Sequence, residues 1–316
     1  MARRRSRGGS KLGGILLFLL GLLAGAGLLF VFLKPSAPPP RTVAAADTVA
    51  PAVQTHREGP PARHRRTASD HVEPEPAQPA ASVSAPVPSG PAHGIRIAVV
   101  IDDLGHDVAE LRPLEGLGVP ITYSVLPYEE QTPQVVAELR RRKAEILLHL
   151  PMQPKNGENP GPGALLQGMS DGELKQKTEA ALAAVPGAVG VNNHMGSLLS
   201  SEEGPMTTVL EVLAERGLFF LDSRTSAESV GYKRAVQMGV PAAERQVFLD
   251  GESTPEAIHE QFQRLLTVAR TRGAAIAIGH PHPETLAALI REVPRARAEG
   301  FEFVPVSYLL TRAGGE

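Results

Sequence analysis

Apolar and polar positions change character at residue 95. From there the chain alternates short apolar runs with longer amphipathic stretches. Residues 95–103 (IRIAVVIDD) form a continuous apolar run closed by acids, the signature of a strand buried on both faces. Comparable runs occupy 121–127, 145–151, 188–195, 218–224, 246–250, 274–281 and 301–306. Helix-period segments separate them at 132–142, 170–185, 203–216, 254–272 and 283–299. The second of these opens Ser-Asp-Gly-Glu, a serine cap with glutamate three residues on. Seven or eight strand-then-helix units in succession predict an α/β domain, a parallel sheet with helices outside. No Gly-x-Gly-x-x-Gly follows the first strand, which disfavours a dinucleotide fold and points to a distorted (β/α) barrel.

The polar residues of this body gather at one kind of position. Asp102 and Asp103, His149, Asn192 to His194, Asp222 to Arg224, and His280 with His282 all fall at C-terminal ends of predicted strands. In a barrel that rim builds the active site. The segment 152–168, rich in Gly and Pro, is long for a connection and lies on the same rim, as expected of a cleft-shaping loop. Tyr123, Tyr128 and Tyr232 are candidates for stacking on sugar rings.

Composition narrows the chemistry. With no cysteine among 316 residues, disulfides, thiolate catalysis, Fe–S clusters and Cys-ligated zinc are excluded, while a site of His and Asp stays open. The formal net charge is −2, but it is unevenly spread: residues 1–34 hold six Lys/Arg and no acid, and residues 94–316 are net acidic. An acidic body without a basic stripe argues against a nucleic-acid partner.

Residues 12–33 carry no charge. As a helix they span about 33 Å, against about 30 Å for a bilayer core. Five basic residues precede them, so the positive-inside rule keeps the N-terminus in the cytoplasm. The expected layout is a basic tail (1–11), a signal anchor (12–34), a Pro/Ala-rich disordered linker (35–93) and one domain (94–316). The domain would then face the periplasm from a single-pass anchor in a bacterial inner membrane. Cleavage after Ala24-Gly25-Ala26 is the alternative; it is disfavoured because an apolar stretch continues to Leu33. The oligomeric state is not legible here.

Five motifs in order, VIDDLG (100–105), ILLHLPMQP (146–154), GVNNHMGS (190–197), FLDSRT (220–225) and AIGHPHPET (277–285), resemble the divergent polysaccharide deacetylase family, an offshoot of the NodB-type carbohydrate esterases. The resemblance spans about residues 95–310. It implies a distorted barrel and a metal-dependent hydrolase removing N-acetyl groups from an envelope or exported polysaccharide. By that resemblance Asp102 is the base, Asp103 a metal ligand and His149 the first of a His pair. The position of the second His is Gln153, and the nearest substitute ligand is His194, with His282 as the competitor. Asp222 and His280 match the family's later acid and its general-acid histidine in type and order. Three protein ligands and an open position suit a divalent ion, zinc foremost. Arg224 is the expected cation beside Asp102, Asp222 the expected orienter of His280, and Asn192 and Asn193 the expected ligand-orienting or oxyanion groups. A catalytically inactive module binding glycan or a cell-envelope partner is the alternative reading.

Overall fold

The computed structural model of the chain describes residues 94–311. The anchor and linker inferred for 1–93 lie outside the described residues, and no helix among those described is long and apolar enough to cross a membrane.

The first strand, β1 (Arg96–Leu104), is followed by a short helix α1 (Arg112–Glu115), β2 (Thr122–Val125), α2 (Thr132–Arg141) and β3 (Glu145–Met152). Next come α3 (Asp171–Ala184), β4 (Gly190–Met195), α4 (Glu203–Arg216), β5 (Phe219–Asp222) and α5 (Gly231–Gln237). The chain ends with β6 (Ala242–Glu244), β7 (Val247–Phe248), α6 (Pro255–Arg272), β8 (Ala274–Gly279), α7 (Pro283–Ala298) and β9 (Glu302–Phe303). Every strand pairing is parallel, and the sheet runs β6-β5-β4-β3-β2-β1-β8-β7, with β9 joining the start of β1.

This is a curled, incomplete barrel. The path begins at β6 and ends at β7, which are neighbours in sequence. At that seam the Gln246 side chain stands in for a ladder: its Nε2 donates to the Glu244 carbonyl, and its Oε1 accepts from the Ile276 amide of β8. Sequence patterning missed β6 and α5, and one predicted run, 246–250, holds only the two-residue β7.

Side chains of a strand alternate between the barrel interior and the helix layer. Ala98 and Val100 of β1, Leu147 of β3, Phe219 and Leu221 of β5, Ala243 of β6, and Ile276 and Ile278 of β8 form the inner core. Gly190 matters there, because a Cβ would come within 2.7 Å of the Phe219 ring. The other parity (Ile97, Val99, Ile101, Leu148, Leu150, Val191, Phe220) packs against helix residues such as Leu139, Leu210, Phe262 and Leu289. After β9 the chain floors the barrel. Val306 joins the inner core, its amide donating to Thr122 Oγ1, and Thr311 pairs with Ala242 of β6.

Helix ends follow local chemistry. Ser170 and Glu173 form the reciprocal cap expected at the start of α3. Thr254 caps α6, with Pro255 in its first turn, and Gly273 ends that helix at φ 81°, a left-handed stop that glycine adopts without a Cβ penalty.

Phe220 has no exposed surface and its ring fills the space against Gly231. Phe220→Ala should cost about 3–5 kcal/mol of stability by leaving a cavity. Tyr308, which is 70% exposed, should tolerate alanine within about 0.5 kcal/mol. Denaturant midpoints of the two variants check the contrast.

Candidate functional site

The inward parity carries the site. Continuing each inner row past its apolar residues gives Asp102 (after Ala98 and Val100), Ser124, His149 (after Leu147), Asn192 and His194, Ser223 (after Leu221), and His280 (after Ile278). Apolar residues fill the barrel below, and the polar ones cap it.

Asn192 lies at the centre with no exposed surface. Its Nδ2 donates to both Asp102 oxygens, at 2.9 and 3.0 Å, and to Ser223 Oγ at 3.2 Å. Its Oδ1 accepts from Ser124 Oγ and faces His149 Nδ1 at 2.9 Å. An amide oxygen accepts only, so the proton of that contact belongs to His149 Nδ1. His149 Nε2 then points into the site, 3.1 Å from Asp103 Oδ1 and 3.6 Å from Asp102 Oδ2.

Asp103 joins this cluster by a backbone device. Neighbouring strand residues face opposite sides, yet Asp102 and Asp103 both serve the site. The reversal comes at Asp103 itself, with φ 57°, where the β1–β2 register slips between Ile101 and Leu104. Met195 (φ 50°) and Arg224 (φ 52°) are the other left-handed non-glycine residues on the rim. Such conformers cost of order 1–3 kcal/mol and persist where surroundings over-determine them. Here the Met195 carbonyl accepts from Asn193 Nδ2 and Thr225 Oγ1, and Arg224 donates its amide to Asp222 Oδ1 while its carbonyl accepts from Arg245 Nη2.

Asp103 Oδ1 lies 2.8 Å from His194 Nδ1, and the two histidine rings meet edge-on at 4.9 Å. Burial alone would raise the Asp103 carboxyl. The His194 charge, the close approach of the His149 and His194 rings and the charge of His280 instead hold it well below the usual carboxylate range. Burial likewise opposes charge on His149, but Asp102 and Asp103 keep its pKa above the ordinary value. Donor atoms of Asp103, His149 and His194 lie within 4.8 Å of one another. Asp103 Oδ1 is buried without a well-formed hydrogen bond, although both imidazoles are at ion-pair distance. One carboxylate, two imidazoles and an oxygen lacking a proper donor fit a divalent ion of the zinc class.

Opposite this cluster stands His280. Its Nε2 is 3.8 Å from Asp103 Oδ2, and its Nδ1 is 3.0 Å from Asp250 Oδ1. Asp250 Oδ2 accepts from the His280 amide and from Thr285 Oγ1. Burial disfavours the charged ring, but the Asp250 charge and hydrogen bond, with Asp103 and Asp102 beyond, push the His280 pKa up to about 10.

The orienter of His280 is therefore Asp250 and not Asp222. Asp222 has the parity of Phe220 and points to the helix layer, where its oxygens accept from Ser229 Oγ and from the Arg224 and Tyr232 amides to build the turn into α5. Arg224 follows it outward: its guanidinium meets Glu244 and the Ser229 carbonyl, and Asp102 is steadied by Asn192. Asn193, on the same outward parity as Val191, spends its amide on the Met195 carbonyl, Thr225 Oγ1 and the Ser223 amide, which makes it a rim clamp rather than an oxyanion donor. Asp250 did leave a signal, since the run 246–250 ends in an acid just as the run 95–103 does.

The cluster opens into a cleft of about 100 Å³ lined by Asp103, His194, His106, Tyr128, Glu129 and the turn at 159–162. An apolar cavity of about 150 Å³ takes up benzene, so this one suits a group the size of acetamide. The 152–168 loop forms one wall. It is tied down by Leu165, which pairs with Met152, and by Lys155, whose Nζ reaches Glu228 and Ser226 Oγ. A Cβ on Gly163 would overlap the Tyr128 ring, so loop and ring are in direct contact. Of the three tyrosines singled out from sequence, only Tyr128 lines this cleft; Tyr123 packs in the helix layer and Tyr232 bonds Thr311 Oγ1.

The profile of a family described as "Divergent polysaccharide deacetylase" matches residues 99–310. An uncharacterized protein of Haemophilus influenzae is 36% identical over 202 residues, 63% of this chain and 72% of its own length. Uncharacterized protein YibQ of Escherichia coli is 35% identical over 208 residues, 66% of this chain and 64% of its own. The crystal structure of uncharacterized protein ATU2773 from Agrobacterium tumefaciens C58 superposes with a TM-score of 0.65 at 30% identity, covering 71% of this chain and 92% of that one.

Proposed function

Since this chain belongs to the divergent polysaccharide deacetylase family, we propose that it hydrolyses N-acetyl groups of an envelope or exported polysaccharide, with a divalent ion, zinc foremost, held by Asp103, His149 and His194. The observation that carries this reading is the facing of two groups: Asp103 of β1, which lines the small cleft, and His280 just beyond β8, whose Nε2 lies 3.8 Å from Asp103 Oδ2.

A divalent ion in such a set supplies Lewis acidity toward an acetyl oxygen and acidifies water. The chain's own groups do the rest. Asp102, gripped through both oxygens by Asn192, is aimed to take a proton from the attacking water. His149 is held by Asn192 with its Nε2 directed inward. His280 carries a proton at neutral pH and faces Asp103, where it can pass that proton to the departing amine while Asp250 fixes its orientation. Tyr128 gives the cleft one apolar wall for a sugar face.

One observation favours the second reading, a glycan-binding module without turnover. Gln153, at the position of the family's second histidine, spends its Oε1 on the Gln167 amide within the loop. His194 then has to complete the ligand set.

Three measurements test the proposal. Asp103→Asn, His149→Ala and His194→Ala should each strip bound zinc from the purified protein, whereas Asp102→Asn and His280→Ala should keep the metal and release acetate from N-acetylated oligosaccharides about 10²–10⁴-fold more slowly. A parent protein that binds glycan and releases no acetate with zinc, cobalt or manganese would establish the binding module instead.

The pH profile reads the Asp250–His280 pair. The acid form of His280 is the working form, so activity falls as pH rises through its pKa. Asp250→Asn removes the charge that raises that pKa, and the alkaline limb of kcat should move to lower pH, with the acid limb unmoved.

We also propose that the domain is held on the periplasmic face of the inner membrane by residues 12–34. An alkaline-phosphatase reporter fused after Glu316 should be active and membrane-bound; activity confined to the soluble periplasmic fraction would mean that the span is cleaved.

A further inference from the structure

We propose that Asp250, His280 and His282 form a second site for a zinc-class divalent cation, and that filling it withdraws His280 from proton transfer. The site stands on geometry; only its inhibitory consequence rests on the acid role given to His280 above.

Ligand atoms of the three residues lie within 4.8 Å of one another. One carboxylate and two imidazoles again make a set suited to zinc, cobalt or nickel and poorly suited to magnesium or calcium. The carboxylate is already aimed. Asp250 Oδ2 is occupied by the His280 amide and Thr285 Oγ1, which leaves Oδ1 turned toward His280 Nδ1. Hydrogen bonds of this kind orient ligating carboxylates. The imidazoles flank Pro281, between the end of β8 and the start of α7. Their rings lie 5.6 Å apart and are tilted by 36°. Both histidines are partly exposed, which gives a cation a path and an open coordination position.

One imidazole stands between the two sites. His280 presents Nδ1 to Asp250 and Nε2 to Asp103. A cation taken by Nδ1 releases that proton to solvent, with no change of oxidation state. The ring then holds no surplus proton for a leaving amine. The second site is the weaker one, because its cation competes with a proton on His280 and is repelled by an ion at Asp103. It therefore fills only when the metal is in excess.

The test uses the full-length chain in detergent, titrated with zinc by equilibrium dialysis. The N-terminal region holds four further histidines, His56, His64, His71 and His93, so the readout is the difference between parent and variant. Folded His282→Ala and His282→Gln should each bind one equivalent fewer in the weak phase, its affinity reduced more than about 100-fold, and keep the tight equivalent. His149→Ala should show the reverse. Either His282 variant matching the parent overturns the site. A parent-only measurement stands beside these: cobalt(II) should give a second tetrahedral absorption component after the first is saturated, and its absence overturns the site without any variant. In acetate release, excess zinc should slow the parent and spare His282→Ala; equal slowing overturns the inhibitory role. A weak equivalent lost in His282→Ala from a protein that releases no acetate would keep the cation site and defeat the deacetylase reading.

Discussion

The site depends on one side-chain amide. Asn192 sits wholly buried where five strand ends converge, and each of its polar atoms is spent on a neighbour from a different strand or turn. Its direction is forced by chemistry: the NH₂ group faces the Asp102 carboxylate, and the carbonyl faces Ser124 and His149. Reversing it would set oxygen against carboxylate and leave both buried partners unmatched, at a cost of roughly 1–3 kcal/mol per group. That one orientation selects the His149 tautomer and fixes both Asp102 oxygens, so base and ligand are aligned together. Aspartate here would lose the donors to Asp102 and add a third buried charge, which explains why an amide and not an acid caps this row.

Packing a second acid into the cluster requires a break in strand geometry. Pleating sends Asp102 inward and would send Asp103 to the helix layer. The left-handed turn at Asp103 and the register slip beside it return the second carboxylate to the same cavity. The same left-handed conformation recurs at Met195 and Arg224, and the carbonyl of each is bound by polar side chains around it. Asn193, Asp222 and Arg245 belong to this scaffolding. Their place at strand ends, and for Asp222 the family resemblance, made two of them look catalytic; their parity assigns them to holding the rim.

That distinction marks what was legible in the sequence. Strand runs ending in Asp-Asp, His and Asn-Asn-His located the rim and the residues that converge on it, because apolar strands with polar ends have few other uses. Which member of a polar pair faces inward was not legible where a left-handed residue resets the parity, and no local pattern announces φ at Asp103, Met195 or Arg224. Asp250 was hidden for a related reason. Its strand β7 is two residues long, and the acid's partner lies 30 residues on in His280. Strand β6 and helix α5 escaped because three and seven residues are too few to display a period.

The open seam of the sheet bears on the chemistry as well. Between β6 and β7 the ladder is interrupted and Gln246 bridges the gap with its side chain. Just beyond, Arg245 turns inward, its guanidinium donating to the Ser223 and Arg224 carbonyls and lying 4.6 Å over the Phe248 ring. Phe248 in turn meets the His280 ring edge-on at 5.5 Å. A continuous pair of strands would have no room for this stack. The barrel gives up ladder hydrogen bonds at its weakest edge, and in their place a buried cation and an aromatic ring brace the strand end that carries His280. The incomplete barrel and the orientation of the acid are thus one structural arrangement, built from residues 245–250 and read out at residue 280.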